Sequence, residues 1–213
     1  MRSIGVESCK EMIILACDAI IENKPYLTEI DSKIGDGDHG IGMSGGMEKA
    51  KTALLNEKEF TTINDIFKTT GMQMLNSMGG ASGVIFGSMF LGGVKGMKPE
   101  AELDGELFTK MMRASVESIK QRGKASVGDK TMVDALEPAV EALEKADKSD
   151  LTECLAVAAK AAAEGVEATK NMVAKFGRAK SLMERAIGFQ DAGATSVQII
   201  FEAMYQYLVS QKQ

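Results

Sequence analysis

Apolar residues recur at helical spacing along most of the chain. The first segment shows this clearly, with one apolar stripe at i, i+3, i+4, i+7 and i+8 formed by Ile13, Ala16, Cys17, Ile20 and Ile21. Pro25 is expected to end this first helix or to follow its end. No run of strand length alternates apolar and polar residues with β-branched enrichment, so the pattern predicts almost no strand.

Seven further helices are expected after the first, with a short helical piece at about 182–186. Four of them have predicted spans, namely 41–56, from Thr61-Thr62 to about 78, 104–121 and 151–175. The other three are predicted to begin after the glycines of 79–83, after the loop 122–131, and after Thr195-Ser196. Pro138 lies within the sixth helix and predicts a kink or a delayed start. The pattern therefore predicts one all-α domain over residues 1–213, with about eight helices packed up and down.

Composition and charge limit which binding partners and which cell compartment we expect. The net charge is −5, and Lys and Arg are scattered, so the basic face that nucleic-acid binding requires is missing. The apolar stretch 12–16 lacks a basic flank, and no apolar segment is long enough to cross a bilayer. Three cysteines without CxxC spacing indicate a reducing compartment. We expect a cytoplasmic protein that binds neither nucleic acid nor membranes.

Four glycine-rich segments interrupt the helices, at 35–46, 79–83, 123–128 and 188–193. In an up-and-down bundle, alternate connections lie at the same end. The topology thus allows several of these segments to meet at one rim of the bundle.

The first glycine-rich segment carries the strongest chemical signal. Asp31, Asp36 and Asp38 lie within eight residues, and three such charges repel one another unless a cation lies among them. Carboxylates suit Mg²⁺ or Ca²⁺, but an EF-hand is excluded because its twelfth position is Met47. The glycines that follow open a helix whose free N–H groups suit phosphate. Spacing alone is equally typical of an Asp-Gly turn before a capped helix.

The other segments offer weaker signals. His39, the one histidine of the chain, follows two acidic residues and favours a role at phosphate or in the metal shell. Ser82 follows glycines that let backbone N–H groups approach phosphate, although helix packing explains these glycines as well. Lys130 or Thr131 is a candidate to contact phosphate or to cap the next helix. Arg178 is a candidate to stabilise a transferring phosphoryl group.

Four ordered motifs together resemble the nucleotide-binding L subunit of dihydroxyacetone kinase. They are YLTEIDSKIGDGDHGIGMSGG, MGGASGVIFGSMF, RGKASVGDKTMVDAL and GRAKSLMERAIGFQDAGATS. The resemblance covers nearly the whole chain, and it implies an eight-helix antiparallel barrel with the nucleotide at one rim. The family's GH-x-DPG pattern reads Gly188 to Gly193 here, with Phe189 and Ala192 replacing the usual His and Pro.

The resemblance also implies roles for individual residues. The ligands of two Mg²⁺ ions would be Asp31, Asp36 and Asp38. Residues implied to bind ADP or ATP are His39, Gly40, Ile41, Gly42, Ala81, Ser82, Gly123, Met132, Arg178, Asp191, Ala192 and Gly193. Within that set, His39 and Arg178 are the implied catalytic residues.

The implied activity is that of a kinase subunit. It transfers a phosphoryl group from Mg-nucleotide to dihydroxyacetone held on a separate K subunit, and a phosphoryl-carrier protein (M subunit) of the phosphotransferase system recharges it. Three alternatives stay open: ATP exchange, a related keto-sugar as substrate, and an ADP-binding coregulator of transcription. The resemblance also leaves a homodimer open.

Overall fold

The structure, a computed structural model, describes residues 1–57 and 59–211. Over these residues the regular secondary structure consists of two three-residue strands, β1 (Ser3–Gly5) and β2 (Glu102–Asp104), and of helices. The α-helices are α1 (Val6–Glu22), α2 (Lys24–Ile34), α3 (His39–Asn56), α4 (Ile63–Ser77), α5 (Gly80–Val94), α6 (Gly105–Gly123), α7 (Val133–Lys145), α8 (Leu151–Thr169) and α9 (Ala192–Ser210). A 3-10 segment covers Arg178–Ala186. The all-α prediction is confirmed.

Eight of the helices form a closed ring. Helix α1 packs on α3, each helix from α3 to α9 packs on the next, and α9 packs back on α1. Helix α2 lies outside this ring and packs mainly on α3. The interior is apolar, with the ring pairs Phe67–Phe90 and Phe108–Phe201 at centroid distances of 6.0 and 6.1 Å. The periodic stripes of the sequence therefore face one shared core.

Close helix contact explains part of the glycine content. A Cβ atom at Gly71 in α4 would lie 2.9 Å from the carbonyl oxygen of Gly87 in α5, too close for a side chain. The backbones of α4 and α5 therefore approach each other closely at this point. No helix within 1–57 and 59–211 is both long and apolar enough to span a membrane.

The alternating helix directions create two different ends. The site rim holds the connections 35–38, 78–79, 124–132 and 170–191, and the N-termini of α3, α5, α7 and α9. The hairpin rim holds the β1–β2 pair and the connections 95–104 and 146–150. All four glycine-rich segments begin at or beside the site rim, as the topology predicted.

Several predicted boundaries need correction. Lys24–Ile34 forms helix α2, because Pro25 lies in its first turn, where a missing N–H costs nothing. Helix α8 ends at Thr169 instead of about Lys175, and α9 begins at Ala192, before Thr195. Pro138 lies inside α7 and does not delay its start at Val133. The short piece predicted at 182–186 belongs to a longer 3-10 segment.

Candidate functional site

The three acidic residues of the first loop converge at the site rim. Asp31 lies in the last turn of α2, Asp36 in the connection, and Asp38 at the N-cap of α3. One ligand oxygen from each lies within 4.8 Å of the others. Gly37 makes this possible because its φ of 75° lets the chain turn between the two exposed carboxylates. The convergence of the three side chains matches the sequence prediction.

The cluster is electrostatically unfavourable without a cation. Partial burial raises the pKa of Asp38, and the charges of Asp36 and Asp31 raise it further. Arg178 opposes this effect, and its Nε lies 2.8 Å from an Asp36 carboxylate oxygen. A single exposed arginine does not balance three carboxylates, so the cluster has the charge of a site for cations.

His39 connects the acidic loop to two other helices. Its backbone N–H donates to Asp31 at 3.2 Å, and its Nε2 lies 2.8 Å from the hydroxyl of Ser196 in α9. Its ring lies 5.9 Å from the ring of Phe86 in α5. Burial lowers the pKa of His39, an effect that the charge of Asp31 and the Ala192 carbonyl partly offset. Burial at the junction of α3, α5 and α9 thus favours the neutral imidazole.

The Ser196 hydroxyl orients the imidazole. It lies 2.8 Å from His39 Nε2 and 3.1 Å from the Ala192 carbonyl, to which it can donate. The ring is thereby held between the start of α3 and the first turns of α9. The role of His39 in the phosphate or metal shell stays a prediction.

Two helices of the site rim begin without a side-chain cap. Neither Asp38 before α3 nor Gly79 before α5 makes a side-chain cap hydrogen bond. The predicted residues Gly40, Ile41 and Gly42 form the first turn of α3, and Ala81 and Ser82 lie exposed in the first turn of α5. Free N–H groups and aligned dipoles at such ends attract anions.

The remaining predicted residues form an opposite wall. Asp191 caps α9 through the N–H of Ala194 at 2.7 Å, and a Cβ atom at Gly193 would lie 3.4 Å from the Met132 side chain. Gly123, at the end of α6, lies beside Ile85 of α5. Burial raises the pKa of Asp191 to about 7. The structure therefore brings the sequence-predicted site residues to one rim.

The sequence hypothesis gave Lys130 or Thr131 a role at phosphate or as the cap of the next helix, and Thr131 is that cap. Its hydroxyl accepts from the N–H of Val133, the first residue of α7, at 3.2 Å. The buried ammonium of Lys130 instead donates to the carbonyls of Thr169 and Phe189. Ser196 was missed because nothing in the sequence connects it with His39, 157 positions away.

A model of the DAK2 domain matches residues 33–206 of the chain. The ADP-binding subunit DhaL of a PEP-dependent dihydroxyacetone kinase from Listeria innocua is 43% identical over 91% of this chain and 92% of its own length. The corresponding subunit from Escherichia coli is 38% identical over 88% of this chain and 90% of its own length.

The chain belongs to the DhaL family.

A solved structure shares the DhaL fold. The dihydroxyacetone kinase of C. freundii, in complex with AMP-PNP and Mg²⁺, matches with a TM-score of 0.74 at 23% identity. The match covers 97% of this chain and 35% of that protein, so the DhaL chain corresponds to about a third of the longer kinase. The eight-helix barrel implied by the motifs is therefore confirmed as the family's fold.

Proposed function

We propose that this DhaL chain is the nucleotide-carrying subunit of a dihydroxyacetone kinase. It transfers a phosphoryl group from Mg-nucleotide to a keto-triose held on a separate K subunit. The observation that carries the proposal is the cluster of Asp31, Asp36 and Asp38 at the rim where α3 and α5 begin without side-chain caps. The names of the two relatives, ADP-binding subunits of PEP-dependent dihydroxyacetone kinases, support the same assignment.

The acidic cluster fits magnesium. Hard carboxylate oxygens are suitable ligands, and opposite ligands of one Mg²⁺ lie about 4.2 Å apart at the usual bond length. The three ligand oxygens lie within 4.8 Å of one another, so they can share one ion. Three carboxylates and the phosphates of ADP carry enough negative charge for two ions, and two is the number we propose. When bound, they neutralise charge on the transferring phosphoryl group.

The chain's own residues bind and orient the nucleotide. In this proposal the phosphates contact the first turns of α3 and α5, through His39, Gly40, Ile41, Gly42, Ala81 and Ser82. The adenine and ribose lie against the wall formed by Gly123, Met132, Asp191, Ala192 and Gly193. Arg178 moves from Asp36 to the phosphoryl group, where its guanidinium stabilises developing charge.

The phosphoryl acceptor and donor come from other proteins. Large apolar side chains lie exposed around the site rim, among them Ile41, Val127, Met183 and Ile187. They suit a face that the K subunit covers during transfer. Because both relatives are named PEP-dependent, we propose that a phosphoryl-carrier protein recharges bound ADP, in the cytoplasm, where phosphoenolpyruvate is made.

A coupled transfer assay tests this function. The purified chain is loaded with ADP and Mg²⁺ and mixed with the K subunit, dihydroxyacetone, and either the carrier phosphorylated from phosphoenolpyruvate or free ATP. We expect dihydroxyacetone phosphate to accumulate over many turnovers with the phosphorylated carrier, and at most one equivalent per chain with ATP. Sustained turnover with ATP alone supports the exchanging branch of the family. Absence of product with either donor contradicts the kinase assignment.

A further inference from the structure

Lys130 is a buried charge that the proposed chemistry does not use. It is 2% exposed, and it lies in the left-handed region at φ 58°, which non-glycine residues rarely adopt. Its Nζ donates to the Thr169 carbonyl at 2.6 Å and to the Phe189 carbonyl at 2.5 Å. Burying an ammonium costs free energy that hydrogen bonds to neutral carbonyls only partly recover. A purely structural position would more favourably hold an apolar side chain.

The two carbonyls belong to segments that form the wall of the site. Thr169 is the last residue of α8, and Phe189 directly precedes the turn 190–193 that opens α9. The Thr169 hydroxyl also accepts from the N–H of Asp191 at 3.0 Å. The N–H of Gly188 donates to the Lys170 carbonyl at 2.7 Å. The segment 188–191 is thus hydrogen-bonded to the end of α8. Lys130 connects both of these to the loop before α7.

The loop that carries Lys130 is itself held firmly. The carboxylate of Asp134 accepts from the N–H groups of Gly128 and Thr131, at 2.5 and 2.7 Å. Asp129 accepts from Ser126 N–H at 2.8 Å and pairs with Lys175 at 2.6 Å. These bonds fix the backbone at Lys130 on both sides. The ammonium therefore has a defined position from which to hold the wall.

We propose that Lys130 is a positioning residue that holds the 189–193 wall against Met132, so that the nucleoside part of ADP meets a preformed surface. The proposal rests on the proposed function. It predicts that the acidic cluster and the helix N-termini bind the phosphates of ADP. The 189–193 wall, which Lys130 holds, binds the nucleoside.

Two ligands separate these contributions. ADP uses both parts of the site, and pyrophosphate uses the phosphate part alone, so their affinities in the presence of Mg²⁺ are measured side by side by calorimetry. For Lys130→Met we expect ADP affinity to fall about 10- to 100-fold, with pyrophosphate affinity unchanged within about twofold. Hydrogen exchange of the amides of 187–193 should accelerate in the same variant.

Thr169→Val supplies a second test with little risk to folding. It removes the hydroxyl that accepts from Asp191 N–H and keeps the carbonyl that Lys130 contacts, so we expect a smaller loss, about 3- to 10-fold, again for ADP alone. The matched control is Lys124→Met, which changes an exposed lysine of the same loop at φ 60°. Its affinities for both ligands should equal those of the wild type.

The outcomes distinguish the inference from the function. If the wild type binds neither ligand, the proposed function fails first. If the wild type binds both but Lys130→Met and Thr169→Val keep wild-type ADP affinity, the positioning role is wrong and the function stands. Equal losses of ADP and pyrophosphate in both variants also overturn the positioning role, because they indicate general damage to the fold.

Discussion

The two rims of the barrel differ in how side chains cap the helix N-termini. At the hairpin rim, α4, α6 and α8 each begin with a side-chain cap, from Thr62, Asp104 and Asp150. Helix α1, which also begins there, continues directly from strand β1. At the site rim, α3 and α5 begin without a side-chain cap, whereas the Thr131 hydroxyl accepts from the first N–H of α7 and Asp191 caps α9.

The difference separates stability from binding. A capping side chain satisfies N–H groups internally and stabilises a helix by about 1 kcal/mol. A helix end without one keeps its donors and its dipole for a ligand. The hairpin rim also fixes the chain terminus, since the Met1 ammonium lies 3.0 Å from the Asp150 carboxylate. Substitutions at the two rims should therefore change different measured quantities.

The largest expected effect is on turnover at the site rim. Arg178→Ala removes the guanidinium that we place at the transferring phosphoryl group, and we expect kcat to fall about 100-fold or more. ADP affinity should change less than about fivefold, since the remaining ligands of the phosphates persist. Lys180→Ala, in the same exposed 3-10 segment, is the matched control and should retain full turnover. A normal kcat in Arg178→Ala would remove this residue from catalysis.

At the hairpin rim the expected effect is on stability. Asp150→Ala removes the cap of α8 and the partner of the chain terminus, and should lower the free energy of unfolding by about 1–2 kcal/mol at pH 7. Hydrogen bonds from the terminal ammonium and from backbone N–H groups outweigh burial and lower the pKa of Asp150 to about 2. This stabilisation is present above pH 4 and should vanish as the pH falls towards 2.

Chemical denaturation across this pH range measures the effect, and ADP titration supplies the contrast between rims. The affinity of Asp150→Ala for ADP should equal that of the wild type. Asp150→Asn keeps an oxygen that can cap the helix and should lose less stability than the alanine variant. A loss of ADP affinity in Asp150→Ala without loss of stability would contradict the assignment of stability to the hairpin rim and binding to the site rim.

Asp191 is an acidic cap at the site rim. Burial raises its pKa to about 7, with Asp134 and Asp31 adding to the rise and Lys130 and the N–H of Ala194 opposing it. A raised pKa means that its contribution to stability is complete below pH 4 and is lost as the pH rises through 7. Asp191→Asn keeps the cap without the charge.

The variant should therefore gain stability relative to the wild type between pH 5 and 8. We expect a gain of about 1 kcal/mol or more in the free energy of unfolding, measured without ligand at each pH. Identical pH profiles for the two proteins would show that the Asp191 carboxyl titrates as an ordinary surface group.

The smallest expected effect concerns His39. Ser196→Ala removes the hydroxyl that orients its imidazole, and one neutral hydrogen bond is worth about 1 kcal/mol, so ADP affinity should fall about 2- to 5-fold. Ser210→Ala lies on the same helix at the hairpin rim, where Ser210 donates to the Tyr207 carbonyl. It should leave affinity unchanged. Equal affinities in the two variants would mean that the orientation of His39 does not matter for binding.

The sequence predicted what depends on local pattern and missed what depends on distant contacts. The 3.6-residue periodicity predicted most of the helices, the resemblance implied their barrel, and the acidic spacing predicted the convergence of Asp31, Asp36 and Asp38. Pro25 does follow the end of the first helix, as expected, but helix α2 was missed because proline is equally suited to a first turn. Its short apolar stripe buries Leu27 and Ile30 on one face.

The ends of α8 and the start of α9 could not be predicted locally. The segment 170–175 is compatible with helix, but the carbonyl of Thr169 is bonded by the Lys130 ammonium, and the chain turns away there. Thr195 and Ser196 are suited to cap α9, yet they lie inside it, because Asp191 holds the cap position and their hydroxyls bond to carbonyls four residues earlier. Which of Asp191, Thr195 and Ser196 caps α9 therefore depends on contacts that exist only in the folded chain.

The affinity for ADP with and without magnesium, in the wild type and in Asp36→Ala, tests the account most directly. We predict that the wild type binds ADP at least about 100-fold more tightly with Mg²⁺ than with a chelator present, and that Asp36→Ala loses this difference while remaining folded by circular dichroism. Asp147→Asn, an exposed acid at the hairpin rim, should behave as the wild type. The account would be contradicted if the wild type bound ADP equally well with and without Mg²⁺, and if Asp36→Ala bound ADP as tightly as the wild type.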